Sequence, residues 1–346
     1  MKVILKLIFF VLISVIGISH SYAQTLSEIE KNADVLFDNG AFLEAGKLYL
    51  KVISDRERIK DYTLNFKYGT CLLYDKGEKK QEAIAYLKRA VKKPSIDVRA
   101  HYYLGKAYHY NYQFDLAQKS YEKFEKLASV GENKEFNVTV DITACKNGKK
   151  LLSDITDMIV ITKTQIKKDN FYELYKLENI GGSILRYDEF QTKYDKKIGH
   201  IPLIHFPKAS PYIYFSSYGE SGATGLDIYV VKKLANNEYS LAEKVMGSVN
   251  TFQDEDFPYM SPDGRFLYFS SKGHNSMGGY DVFRSRYIVG DDSFMPPDNM
   301  DFAISSPDDD LFYIVDSLGQ NAYFTSARES KLGKLTVYHA RVEKIP

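Results

Sequence analysis

Seven histidines, two cysteines and a few short glycine-rich or acidic stretches are the residues of this chain whose types could do chemistry. A nucleophile elbow needs Gly-x-Ser-x-Gly, so that the serine stands exposed on a sharp turn. Gly219-Glu220-Ser221-Gly222-Ala223 has alanine where the second glycine belongs, and no hydrolase domain follows it. A phosphate loop needs four residues between its first glycine and the Gly-Lys-Ser/Thr that ends it. Five separate Gly40 from Gly46, and Leu48 replaces the hydroxyl. His101 and His109 fall on a helix and His200 and His205 flank a strand, with no His-Glu-x-x-His or Cys-x-x-Cys spacing to gather zinc. Asp254-Glu255-Asp256 and Asp308-Asp309-Asp310 stand 54 residues apart. They carry the oxygens that calcium takes but lack the spacing and glycine of a calcium loop, so turn capping is the favoured role. No metal, cofactor or catalytic set is expected, and the expectation is a protein that is not an enzyme.

The 346 residues are 44% hydrophobic and 26% charged, which fits two folded domains. A formal net charge of +1 gives no field to collect phosphates, so a dedicated nucleic-acid binder is excluded. Residues 1–23 read as a signal peptide, with Lys2 and Lys6 before the apolar run Leu7 to Ile18, then Ser21-Tyr22-Ala23 as the cleavage site. A retained anchor is the competing reading, but the run is short for a bilayer. No other segment could span a membrane. The mature chain is therefore expected to be exported to the periplasm, with no lipid acceptor cysteine at the end of its signal. Its first half is mildly basic and its second mildly acidic.

The elements that must position any site come as two kinds of repeat. Ala33, Gly69 and Gly105 recur every 36 residues, and Ala45, Ala83 and Ala117 are each followed four residues later by a large side chain, Tyr49, Leu87 or Tyr121. Such a pattern builds helical hairpins, in which a small residue lets two helices approach and the bulky one fills the gap one turn on. Leu104-Gly105-Lys106-Ala107-Tyr108 with Phe114, Ala117 and Tyr121 resembles the tetratricopeptide repeat. Three repeats cover about Leu26 to Ala128, and one further helix over Glu132 to Leu152 is expected to cover the last apolar edge. The resemblance implies a concave groove that receives a peptide or partner helix. Its positions here are Arg99, Tyr102, Lys106, His109 and Tyr110, with Phe66, Thr70, Leu73 and Tyr74 from the second repeat. Packing between neighbouring helices is the alternative role for Tyr102 and Tyr110. Cys71 and Cys145 fall on helices that a solenoid separates, so two buried free thiols are favoured over a bridge.

From about Ile155 the period changes. Tyr214-Phe215-Ser216-Ser217 returns as Tyr268-Phe269-Ser270-Ser271 and Tyr323-Phe324-Thr325-Ser326, at spacings of 54 and 55. Gly225-Leu226-Asp227-Ile228-Tyr229 returns as Gly279-Tyr280-Asp281-Val282-Phe283. The same offset backwards reaches Val160-Ile161 and Glu173-Leu174-Tyr175, giving four copies with a degenerate first. In the clearest copy, Ser261-Pro262-Asp263-Gly264 turns between two alternating runs, which makes a hairpin. A third strand is expected over Tyr280 to Tyr287 and a fourth between Phe294 and Phe302. These motifs resemble the WD40-like repeats of periplasmic β-propellers similar to the translocation protein TolB, and imply about four blades with ring closure left open. Asp227 and Asp281 match the family's structural aspartate, which caps a turn or ties adjacent strands.

The chain thus divides into residues 1–23 (signal), 24–152 (tetratricopeptide-type α-solenoid) and 153–346 (WD40-like β-propeller). That combination resembles the N-terminal part of exported proteins of gliding or type IX-secreting Gram-negative bacteria, whose longer members continue into an OmpA-like peptidoglycan-binding domain. The resemblance implies a non-enzymatic scaffold in the periplasm or at the outer membrane, binding envelope proteins of the secretion or motility machinery, with peptidoglycan reached only indirectly. The alternative is a propeller whose central mouth binds or hydrolyses an envelope peptide or glycan.

Overall fold

The computed structural model describes residues 25–75, 79–152, 158–178, 180–236 and 238–342. The expected signal peptide lies outside the described residues. Among the described residues no helix is long and apolar enough to cross a membrane.

The first part is helical. Thr25 caps α1 (Leu26–Asp38), its hydroxyl accepting from Glu28 N at 3.2 Å while the Glu28 carboxylate accepts from Thr25 N at 3.0 Å. There follow α2 (Phe42–Ile53), α3 (Tyr62–Tyr74), α4 (Lys79–Ala90), α5 (Arg99–Tyr110) and α6 (Phe114–Leu127), which pack pairwise in chain order. The small-to-large spacing works as packing logic: Tyr49, Leu87 and Tyr121 are fully buried. A Cβ at Gly69 would stand 2.8 Å from Leu87 Cγ, and one at Gly105 only 2.6 Å from Tyr121 Cδ1. Any larger residue would push these helices apart.

The single terminal helix expected over Glu132 to Leu152 is in fact two, α7 (Val130–Phe136) and α8 (Val138–Leu151). Asn137 between them sits at φ 45°, a left-handed conformation that asparagine tolerates and that ends a helix. After this break α8 lies against α6, with Gly148 so close to Phe114 that a Cβ would meet its ring at 2.5 Å. Cys71 and Cys145 are buried and unpaired, and burial pushes each thiol up to about 12.

The second part is rich in sheet. β1 (Met158–Lys167) leads through a 3-10 turn (Lys168–Leu174) to β2 (Ser183–Arg186), α9 (Lys193–Ile198) and β3 (Leu203–Phe206). Three hairpins then repeat: β4 (Tyr212–Ser217) with β5 (Asp227–Lys232), β9 (Phe266–Ser271) with β10 (Asp281–Ile288), and β14 (Asn321–Ser326) with β15 (Lys334–Val342). β8 (Glu255–Met260) and β13 (Asp310–Val315) flank the second and third of these. Short β6 (Glu243–Lys244), β7 (Met246–Gly247), β11 (Ser293–Phe294), β12 (Asp298–Asn299) and the single turn α10 (Asp301–Ile304) complete the region. The fourth strand expected between Phe294 and Phe302 is only the two-residue β12, beside β10.

The first repeat copy does not build a hairpin of its own. Val160 and Ile161 lie on β1, which pairs antiparallel with β15 from Met158↔Val342 to Lys167↔Lys334, so the first and last strands of this region share a sheet in the order β1-β15-β14-β13. Glu173 and Leu174 end the 3-10 turn, and Tyr175 follows it. The physical reason is the missing hairpin partner: β1 takes the open edge that β15 offers.

Candidate interaction groove and domain junction

The acidic residues of the β region are structural first. Asp195, Glu255 and Asp310 are buried at matching places. Asp195 accepts from the hydroxyls of Thr192 and Ser217 at 2.9 and 2.5 Å, and Glu255 from those of Thr251 and Ser271, both at 2.7 Å. Asp310 accepts from Ser306 at 2.7 Å and from Arg328 at 2.8 Å. Burial pushes the Glu255 carboxyl up. At Asp195 burial acts the same way, but the bonds from Ser217, Tyr218 N and Thr192 outweigh it and the carboxyl is lowered. Asp254 accepts from Leu226 N at 3.1 Å and Asp309 from Tyr280 N at 3.2 Å, each tying one unit to the next. These pairs put the acidic clusters in register at a spacing of 55 rather than 54, which corrects the equivalence read from the sequence. Among the described residues no group of three or more His, Cys, Asp or Glu could hold a metal.

Asp227 and Asp281 also act inside their units. Asp227 accepts from Thr224 at 2.5 Å and pairs with Lys244 at 2.8 Å, while Asp281 accepts from Met277 N and Asn299 Nδ2 at 2.9 and 2.7 Å. In the Ser261-Pro262-Asp263-Gly264 turn, the Ser261 hydroxyl donates to Asp263 at 2.6 Å and accepts from Phe266 N at 2.9 Å. Gly264 supplies the φ of 68° that the turn requires. Where the 3-10 turn meets β8 and β13, Phe171, Tyr175, Phe257 and Phe312 pack ring against ring at 5.6 to 6.4 Å.

The helical groove positions separate into three fates. Phe66, Thr70 and Leu73 are buried in the chain's own core: Phe66 packs on Phe37 and Tyr103, and the Thr70 hydroxyl donates to Phe66 O at 2.9 Å. No partner can reach them. Tyr74 (38% exposed), Arg99 and Lys106 stay accessible on one face, with Tyr74 stacked on Phe42 at 4.2 Å and Arg99 held by Asp97 at 2.6 Å. Tyr102 is nearly buried beneath them, against Phe136 at 4.6 Å, and the Lys106 ammonium lies 5.6 Å from its ring and 5.8 Å from that of Tyr110. Asp141 of α8 borders the same face; burial pushes its carboxyl up, opposed by Lys106.

His109 and Tyr110 meet the β region instead. His109 Nε2 donates to Met277 O at 2.6 Å, and because a carbonyl only accepts, the proton resides on Nε2. Burial lowers the imidazole pKa to about 4, against the opposing effect of that hydrogen bond. Met277 itself is fully buried and belongs to the apolar core of the helices. Asn147 Nδ2 donates to Ser276 O at 2.9 Å, and Phe302 packs against Tyr112 and Phe114 at 5.7 and 6.1 Å. The Lys80 ammonium, over the Tyr110 ring at 4.5 Å, donates to both oxygens of Asp308 at 2.5 and 2.6 Å, with the two side chains only 5% and 7% exposed. Sequence reasoning missed Lys80, Met277 and Phe302. The available signal was the opposite charge of the two halves together with an Asp308 left over once the acidic clusters are aligned at 55.

Two cavities flank this ion pair. One of about 650 Å³ is bordered by Lys80, Tyr110, Asn111, Lys163, Arg328 and Glu329, and one of about 190 Å³ by Lys106, His109, Tyr110, Asp141, Gly278 and Asp309. The cations of the larger one are engaged, Lys163 with Glu329 at 2.6 Å and Arg328 with Asp310. Packing, burial and one buried ion pair therefore fix the helical and β regions together at the junction, with an aromatic and cationic face left open beside it. No family model matches the chain, and no curated protein matches it.

Proposed function

We propose that the chain is a non-catalytic scaffold of the cell envelope, in which a tetratricopeptide-type groove receives a segment of one protein and a WD40-like propeller region holds another, within secretion or gliding machinery. The observation that carries this reading is the face formed by Tyr74, Arg99 and Lys106 over the nearly buried Tyr102, which combines rings with cations beside a junction that fixes the β region. Aromatic and arginine side chains of this kind are enriched where proteins bind one another. The buried Lys80–Asp308 pair supports a fixed spacing between the two binding regions, which is what a scaffold supplies.

The test is photo-crosslinking in intact cells from a reactive residue placed at Tyr74 or Lys106, with mass spectrometry of the adducts. A stoichiometric envelope protein attached at these positions, and absent when the reactive residue is placed at exposed Lys60 instead, is the expected result. Attachment of nothing above the Lys60 background overturns the groove as a partner site.

A further inference from the structure

The repeats of the β region carry their own internal control, because equivalent clefts recur between successive units. One lies between the β3–β4 turn and the Ser261-Pro262-Asp263-Gly264 turn. It is about 130 Å³, with Tyr212, Tyr214, Pro258 and Met260 on its walls. The next lies between that same turn and the Asp316-Ser317-Leu318-Gly319 turn, and Phe266, Tyr268, Tyr313 and Val315 take the matching places. It is about 550 Å³ and holds a guanidinium, that of Arg284.

Register identifies what changed. The residue opposite the motif tyrosine on the following strand is Val230 beside Tyr214, Arg284 beside Tyr268 and His339 beside Tyr323. Arg284 is half-buried, with its guanidinium 5.0 Å from the Phe266 ring and Tyr268 directly across the strand pair. Among the described residues no carboxylate stands within ion-pair distance of it. Asp298, its cross-strand neighbour on β12, is exposed and makes no such pair. The other carboxylates of the cleft are engaged: Asp263 with Arg265 at 2.6 Å, Asp316 with Asn321 Nδ2 at 2.7 Å and Gln320 N at 2.9 Å, and Asp301 with Ala303 N at 2.8 Å. Arg58, Arg99, Arg265 and Arg328 each have a carboxylate, and Arg89 and Arg186 donate to neutral oxygens, those of Asn65 and Ile201. A guanidinium on an aromatic floor, with Leu318 63% exposed at the rim, matches a carboxylate next to an apolar side chain.

We propose that the cleft between the second and third hairpin units is a peptide-binding site that takes a carboxylate on Arg284 and an adjacent apolar side chain over Tyr268 and Tyr313. This site is separate from the helical groove and stands or falls independently of it. The carboxylate can be that of an Asp or Glu side chain or of a chain terminus.

The experiment is selection of a displayed random hexapeptide library on the purified mature chain, followed by fluorescence anisotropy with the synthesised winners. Winners enriched in a carboxylate beside an apolar residue are expected. Their affinity should fall at least tenfold in Arg284→Val, which installs the residue of the sister unit, and in Leu318→Asp, an exposed change that leaves the core untouched. Circular dichroism confirms that both variants fold, and Arg284→Gln replaces the first should it not. Amidating the C-terminus separates the two sources: binding retained identifies a side-chain carboxylate, and binding lost a terminal one. Winners without carboxylates, or equal affinity in the folded Arg284 variant, overturn the proposal.

Discussion

In the helical half, Gly69 and Gly105 make room for Leu87 and Tyr121, and cohesion comes from apolar side chains filling one another's gaps. In the β half, Asp195, Glu255 and Asp310 sit in the interior and are satisfied by hydroxyls and an arginine, so each unit is pinned by a buried polar knot. The two solutions differ in tolerance. Apolar packing degrades in proportion to the volume removed, whereas a buried polar knot fails whenever one member is left without its partner. The junction combines both modes, with Met277 inserted among the helices and Lys80 closed on Asp308.

The largest effect should come from breaking the junction on its charged side. Lys80→Ala strands Asp308 in a buried place and should cost about 3–5 kcal/mol, seen as a lower midpoint in thermal unfolding. The double variant Lys80→Met with Asp308→Leu should recover most of the loss. If the single variant is as stable as the parent, the junction is not held by this pair. On the apolar side, Leu87→Ala should cost about 2–5 kcal/mol in urea unfolding, with the lost side chain leaving a cavity beside Gly69.

Acidification sharpens the same contrast. The folded pKa of His109, about 4, lies below the ordinary 6.5, so the folded state binds fewer protons than the unfolded chain between those values. Stability from this group is therefore complete above about pH 6.5 and falls as pH drops towards 4, by at most about 3 kcal/mol. Stability measured from pH 7 to 4.5 should decline less steeply in His109→Gln, and identical slopes would remove His109 from the account. Within a polar knot, Ser271→Ala deletes one bond to Glu255 and should cost about 1–3 kcal/mol in urea unfolding. The smallest effect belongs to the exposed Lys60–Glu57 pair, where Lys60→Ala should change stability by less than about 0.5 kcal/mol.

The helical hairpins were legible because the spacing of Gly69, Gly105, Leu87 and Tyr121 reports a local close approach. The strands around Tyr-Phe-Ser-Ser were legible for a similar reason, since alternation and the Ser-Pro-Asp-Gly turn act within a few residues. What was not legible depends on distant partners. Nothing near Val160 shows that its strand pairs beside β15, and nothing near Asp308 shows that Lys80 will reach it. The break at Asn137 was hidden because a helical pattern continues on both sides of it. Of the groove residues that the repeat resemblance implied, Tyr74, Arg99 and Lys106 stay accessible, but no local signal told that His109 would be covered by a loop from the other half.

The pairing of β1 with β15 also orders events in time. β1 leaves the ribosome, and any export channel, before the rest of its sheet exists, and it must wait for the final strand of the described chain before its inner edge is hydrogen-bonded. Contacts this distant in sequence slow folding and leave strands exposed in the interim. Ile159, Val160 and Ile161 stay exposed even in the finished sheet, so the waiting strand presents apolar side chains to solvent throughout. A chain cut short before Lys334 would never pair it.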